Sequence, residues 1–554
     1  MEEATLREEQ QLEDIAAAMK GEEISSEGFD YTNLVNAPEL KVGMIPITYD
    51  ETKSTWVVAD KSNTDKSWYD YDNKKWANIC TVDSTHSSYR NATVGTEIPV
   101  TDMTTMFVWI PRYAYSIVEG YRDSNCVSPK IEVKFLVGNT NRDKDNSEEY
   151  KTDYTPTEDM TITPWIVHPG FTFGNNQLTG FWMAKFEASG TKIVDGEEVK
   201  VGNHTVSTVG ETSTATLIDA ETTTPVEVLP NVISWRNLTI GESEYRCIQM
   251  SDNTTVYGWS NANTHLIKNS EWGAVAYLCY SKYGVVPSKN GAGRSGAGVW
   301  YDLYTGAGPK NGTTNDEGTY SYLDNETTQA YNKTKGKLAS TTGNVYGVYD
   351  MSGGAWERVA AYLDNGNNNL NKYGKSSSNS STKYFENGVL KTEYINLWDE
   401  YEVGTEEKSD SIEIEGEKNL TQNELRDKYS TDFISTYENP SLKYNIARKR
   451  ITDANFEWLA KIKGIGVNEI TSSHSYYGVQ KSDGQYTWMR DESDTSGNAG
   501  FGWNNDYVNM GHGFWPFIGR GGNVSYGAYA GVLYSGTTAG YTSNSSGFRP
   551  TICP

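Results

Sequence analysis

Cysteine is scarce. The 554 residues hold five, Cys80, Cys126, Cys247, Cys279 and Cys553, and no two form a CxxC pair. An odd count at wide spacing excludes a disulfide scaffold and a zinc knuckle. A single bridge such as Cys247 with Cys279 stays open, since spacing alone cannot pair them. Histidine is nearly as sparse. His86, His168, His204, His265, His474 and His512 are scattered without an HExxH motif, so no metal and no other cofactor is expected.

Positive charge is short. Lys and Arg number 48 against 73 Asp and Glu, a net charge of -25. An acidic surface repels phosphate backbones, which excludes nucleic acid as a partner. The densest basic run, Arg448 to Arg450, is brief and reads as a solvated face. Long apolar runs are missing, so direct membrane insertion of this chain is excluded. The opening stretch, Met1 to Glu23, is acidic and helix-like and does not resemble a secretory signal. The body is nevertheless rich in Ser, Thr, Asn and Tyr. That composition suits a place outside the cell, on a bacterial surface or a phage virion, with the export route left open.

What is abundant is aromatic and turn-forming. There are 38 Tyr, 16 Trp and 52 Gly, enough to build cores from amphipathic rings between tight turns. The expected class is α+β, in three parts. Residues 1–35 form an N-terminal helix and linker, with Leu6, Leu12, Ile15 and Ala16 as a thin apolar stripe. Residues 36–98 form a small β unit around Trp56, Trp68 and Trp76. Residues 99–554 form the main domain, with insertions near 119–165, 286–340 and 364–448. Strands are expected at Met106–Ile117, broken at Pro111, and at Thr179–Ser189. Helices are expected at 234–240 and 269–280, the second capped by Asn269 or Ser270, and further helices start near Thr421 and Thr452.

Five blocks, in order, carry a resemblance. "FVWIPRYAY", "FWMAKFEAS", "HLIKNSEWG", "GVYDMSGGAWER" and "GRGGNVSY…SGFRP" resemble the signature segments of the sulfatase-modifying, formylglycine-generating family. Leu266, Glu271, Trp272, Asp350, Met351, Gly353, Trp356 and Glu357 match that pattern. Ala184, His265, Gly354, Arg358 and Asn523 depart from it. The resemblance implies a C-type lectin-like fold over residues 105–550. The enzymes of that family hold copper with two cysteines a few residues after the Gly-Gly, because Cu(I) prefers soft thiolates. Here Gly521 to Ser546 contains no cysteine, and Cys553 lies beyond the segment. Iron-dependent relatives need histidines, and His512 has no companion at ligand-like spacing. On those grounds no enzymatic activity is expected. Trp503, Asn504, Asn505 and Asp506 look superficially like a calcium-lectin tripeptide, but the extra Asn interrupts it.

The closing block mixes Gly with Tyr, Ser, Asn and Thr, as antibody paratopes do. It also resembles the variable region of lectin-like proteins diversified by retroelements, among them phage tail receptor-binding proteins. The resemblance implies a non-catalytic ligand-binding protein whose contact residues are drawn from Asn523, Ser525, Tyr526, Tyr529, Tyr534, Ser535, Thr537, Thr538 and Tyr541. Tyr507 and Trp515 are added from the preceding segment. The partner would be a protein or glycan on a cell surface, with homo-oligomerisation through the N-terminal region. Phe517, Ile518, Val532 and Phe548 are expected in the core, and Arg520 and Arg549 as frame residues, one pairing with Glu357 or Asp350. Two alternatives are a pilus-like structural adhesin subunit and, less favoured, an oxidase of the formylglycine-generating kind.

Overall fold

The computed structural model describes residues 28–119, 129–152, 161–201, 225–285, 328–402, 515–522 and 531–554, short internal gaps aside. It also describes short strand pieces between 305 and 321 and between 412 and 508. The expected N-terminal helix and the helix starts near Thr421 and Thr452 fall outside the described residues, apart from a two-residue strand at Lys461–Ile462.

The architecture is mixed α and β, with several sheets and few helices, in keeping with an α+β class. The elements that build the two main sheets begin with β1 (Ile45–Asp50), β2 (Thr55–Val58), β3 (Asn78–Thr81), β4 (Glu97–Ile98), β5 (Thr105–Pro111) and β6 (Gly180–Ala184). Helix α1 (Ile240–Ile248), β7 (Asn263–Leu266) and α2 (Asn269–Cys279) come later in the chain. Towards the C-terminus lie β8 (Trp356–Asp364), β9 (Asp399–Glu402), β10 (Phe517–Arg520), β11 (Ser535–Thr538), β12 (Ser546–Phe548) and β13 (Pro550–Cys553).

The larger sheet has 8 strands in the order β7-β13-β6-β5-β3-β1-β2-β4. Every neighbouring pair is antiparallel. Residues 36–98 therefore supply one half of this sheet, and β3 is hydrogen-bonded directly to β5. The reason is visible in the side chains. Burial alternates along β1, with Ile45, Ile47 and Tyr49 inward, whereas every residue of the central β5 is buried. A strand covered on both faces reads as a continuous apolar run, and "TMFVWIP" is one. Trp56, Trp68 and Trp76 are sealed inside, and each indole N–H finds an acceptor: Tyr331 hydroxyl, Asn78 carbonyl and Tyr283 carbonyl at 2.9, 2.8 and 2.9 Å.

The expected break in Met106–Ile117 falls at Arg112, one residue after Pro111, and a second strand, Tyr113–Glu119, continues into a separate sheet. Its partner Lys130–Phe135 shows that 119–165 is not all loop. The first expected helix starts later than 234–240. Thr239 accepts the Glu242 amide at 3.1 Å and so caps α1, which begins at Ile240. Cys80, Cys247, Cys279 and Cys553 are buried free thiols, so the Cys247–Cys279 bridge does not form.

The smaller sheet has 7 strands, with β9, β8, β10 and β11 adjacent and Tyr507–Val508 and Gly500–Phe501 beyond. β12 runs parallel beside β8. The chain thus ends by placing β12 in one sheet and β13, two residues on, in the other. Phe517, Ile518, Val532 and Phe548 lie in the core, as their apolar character requires. No helix among the described residues is long and apolar enough to cross a membrane.

Candidate functional site

Two side chains six residues apart and a third 282 residues further on meet where β7, β13 and α2 converge. β7 pairs antiparallel with β13, setting Asn263 opposite Cys553 and His265 opposite Thr551. Directly opposed residues share a face, and so do residues two apart along a strand. Asn263, His265, Thr551 and Cys553 therefore project to the same side. Glu271 arrives from α2. It is the third residue of that helix, and its carboxylate turns back to accept the Lys268 amide at 2.9 Å, as an acidic residue at this position commonly does.

In the resulting cluster, one ligand atom from each of His265, Glu271 and Cys553 lies within 4.8 Å of the others, and all three residues are buried. His265 Nε2 is 3.0 and 3.1 Å from the two Glu271 oxygens. The Cys553 thiol donates to Glu271 Oε1 at 3.8 Å. His265 Nδ1 lies 3.4 Å from the Asn263 carbonyl, the kind of second contact that orients an imidazole whose Nε2 binds a metal.

The electrostatics keep the carboxylate ionised and the thiol protonated at this place. Burial alone raises the Glu271 carboxyl, but the charges and hydrogen bonds of His265 and Lys268 outweigh it and hold the group below its ordinary range. Burial, then the Glu271 charge, pushes the Cys553 thiol well above its ordinary value. A divalent ion would replace the protons of both contacts. With metal–ligand bonds of about 2.0–2.3 Å, the edges of a tetrahedron are roughly 3.3–3.8 Å. The His265–Glu271 and Glu271–Cys553 separations approach those edges.

The surrounding frame is polar and buried. Arg549 grips Glu357 through two of its nitrogens and donates to the carbonyls of Ala184 and Tyr349 at 3.1 and 3.0 Å. The guanidinium groups of Arg520 and Arg549 both lie against the Trp272 ring, at 6.0 and 5.7 Å, and the indole donates to the Val532 carbonyl at 2.8 Å. The N-terminus of α2 is further held by Asp399 of the other sheet, which accepts the Ser270 amide at 2.6 Å.

The closing block departs from its expected role at two positions. Tyr534 is buried, with its ring stacked on Trp356, and Ser535 is buried in β11. Trp515 and Thr538 are half-buried, and Tyr541 is exposed. Tyr507 and Thr537 sit in strands, and Asn523, Ser525, Tyr526 and Tyr529 lie outside the described residues. Trp356, expected as a core anchor, is only half-buried.

The expectation of a strictly non-catalytic protein without a metal-ligand cluster is corrected by the triad. A buried His, Glu and Cys in this geometry is compatible with metal binding and therefore with metal-supported catalysis. Spacing in sequence concealed it. Cys553 lies beyond the segment where the resemblance places cysteines, and His265 is one of six scattered histidines that form no ligand motif. The one signal that could have found the site was the pairing of the strand that ends in His265 and Leu266 with the terminal strand.

No family model matches the chain, and comparison with curated proteins finds no match.

Proposed function

We propose that the protein binds a divalent transition metal of the zinc class at His265, Glu271 and Cys553, and that this site gives it catalytic capacity. The reading rests on one observation: the buried convergence of an imidazole, a carboxylate and a thiol within mutual coordination distance. Three protein ligands leave a fourth position, the arrangement of catalytic rather than structural zinc sites. Cys553 and Asn263 also line a cavity at the surface, so the cluster lies beside a route to solvent. A metal held there would polarise an oxygen bound at the fourth position. His265 and Glu271 would share the work of positioning, since each already orients the other.

The scaffold we assign to this site is the C-type lectin-like fold of the formylglycine-generating family. The five ordered sequence blocks support it, as does the buried pairing of Arg549 with Glu357, two residues of those blocks. The composition supports a location outside the cell, on a bacterial surface or virion, with a protein or glycan partner.

Titration calorimetry of the full chain with zinc tests the metal reading. One site is expected in the wild-type protein and none in His265→Ala, with the far-ultraviolet spectrum of the variant unchanged. Equal binding by both proteins, or no binding by either, would refute it.

A further inference from the structure

Beside the triad, and sharing only Cys553 with it, is a cavity of about 820 Å³. Its wall is unusually rich in side-chain amides. Asn139 and Asn141 come from the turn after Lys130–Phe135, and Asn176 and Gln177 from the small hairpin Thr172–Gln177. Two of these amides are held in a fixed orientation from behind. Arg112 is fully buried and places its guanidinium between the two loops. It donates to the Asn141 side-chain oxygen at 2.7 Å and to the Gln177 side-chain oxygen at 2.8 Å. Its other N–H groups reach the carbonyls of Thr140, Phe171 and Leu178 at 2.9, 3.2 and 3.3 Å. All five donors of the fork are thereby used.

That arrangement has a chemical consequence. With their oxygens turned to Arg112, Asn141 and Gln177 have their NH2 groups left over as donors. The carboxylates of Glu39 and Glu149 on the same wall supply acceptors. Phe173, half-buried, adds an aromatic patch. Against these two acids stands a single lining cation, Arg142, so an anionic ligand is disfavoured in a protein of net charge -25. Two amide donors held before binding, with carboxylate acceptors and an apolar patch on the same wall, match a neutral ligand that carries several hydroxyl groups and a C–H face. Fixing the donors in advance removes part of the ordering cost of binding.

We infer that this cavity is a binding site for a neutral saccharide. It does not depend on the metal reading, because none of its polar wall belongs to the triad except Cys553 at its edge.

Saturation-transfer NMR of the full chain, with glucose, galactose, mannose and N-acetylglucosamine as probes and a chelator present, tests the inference. Transfer to at least one of the four is expected. The double variant Asn139→Ala/Asn176→Ala removes two exposed amides and should weaken that binding about tenfold or more, the loss of one to two hydrogen bonds. Val94→Ala, an exposed position outside the wall of this cavity, should leave it unchanged. No transfer to any of the four, transfer only to an acidic sugar such as glucuronic acid, or transfer undiminished in the double variant would overturn the site.

Discussion

Arg549 and Glu357, 192 residues apart in sequence, form a two-pronged ion pair with no solvent exposure on either side. β12 brings the arginine to the sheet in which the glutamate sits. A pair of this kind is costly to bury and far costlier to break, since the surviving charge is left without a partner. Glu357→Gln or Arg549→Met is expected to destabilise the fold by about 3–5 kcal/mol, read from urea denaturation. The double variant should cost less than the sum of the two single changes.

Glu187 lies close by and has no such partner of its own. Burial first, then repulsion from Glu357 and Asp350, holds its carboxyl well above the ordinary 4.5, against the pull of Arg549. Its oxygen accepts only the Ala355 amide, at 2.9 Å. Between pH 4.5 and the raised value, the folded state therefore binds more protons than the unfolded one. Stability then falls as pH rises through that window. Unfolding midpoints measured from about pH 5 to 8 should decline in the wild-type protein, and Glu187→Gln should flatten the decline.

Trp272 joins several parts of the molecule at once. Its ring lies against two guanidinium groups, and its N–H holds the carbonyl of Val532 just before β11. Trp272→Ala should cost about 3–5 kcal/mol, the usual loss for a fully buried aromatic, with circular dichroism melting as the measure. Trp272→Phe keeps most of the volume and should recover much of that loss without restoring the Val532 contact.

Gly540 has φ of +88°, and a Cβ there would meet the Phe517 ring at 2.7 Å. Both the backbone conformation and the lack of space oppose a side chain. Gly540→Ala should destabilise by more than about 1 kcal/mol in the same denaturation assay, whereas Ala539→Gly beside it should have a smaller effect.

The strands β5 and β6 and the helix α2 were legible because each is a contiguous apolar run, although α2 has Lys268 at its N-cap and not the expected Asn269 or Ser270. Sequence logic also reached the kind of pair that Arg549 and Glu357 form, short of choosing between Arg520 and Arg549 or between Glu357 and Asp350. It did not reveal that residues 36–98 join the main sheet. Tryptophans 56, 68 and 76 show the same apolar character whether they pack among themselves or against a larger neighbour. The burial of Tyr534 and Ser535 was hidden for a related reason. A Tyr/Ser-rich strand reads as a recognition surface until its neighbours in the sheet are known. The triad lay furthest from view, because Glu271 and Cys553 stand 282 residues apart and meet only through the pairing of β7 with β13.

Cobalt substitution tests the central claim most directly, because a thiolate bound to Co(II) produces a charge-transfer band that nitrogen and oxygen ligands alone do not. One equivalent of Co(II) added to the metal-free full chain should generate that band with tetrahedral d–d absorption, and zinc should abolish both. Cys553→Ser should lose the charge-transfer band. An octahedral spectrum without the band in the wild-type protein, or the same band in Cys553→Ser, would contradict a metal centre at His265, Glu271 and Cys553.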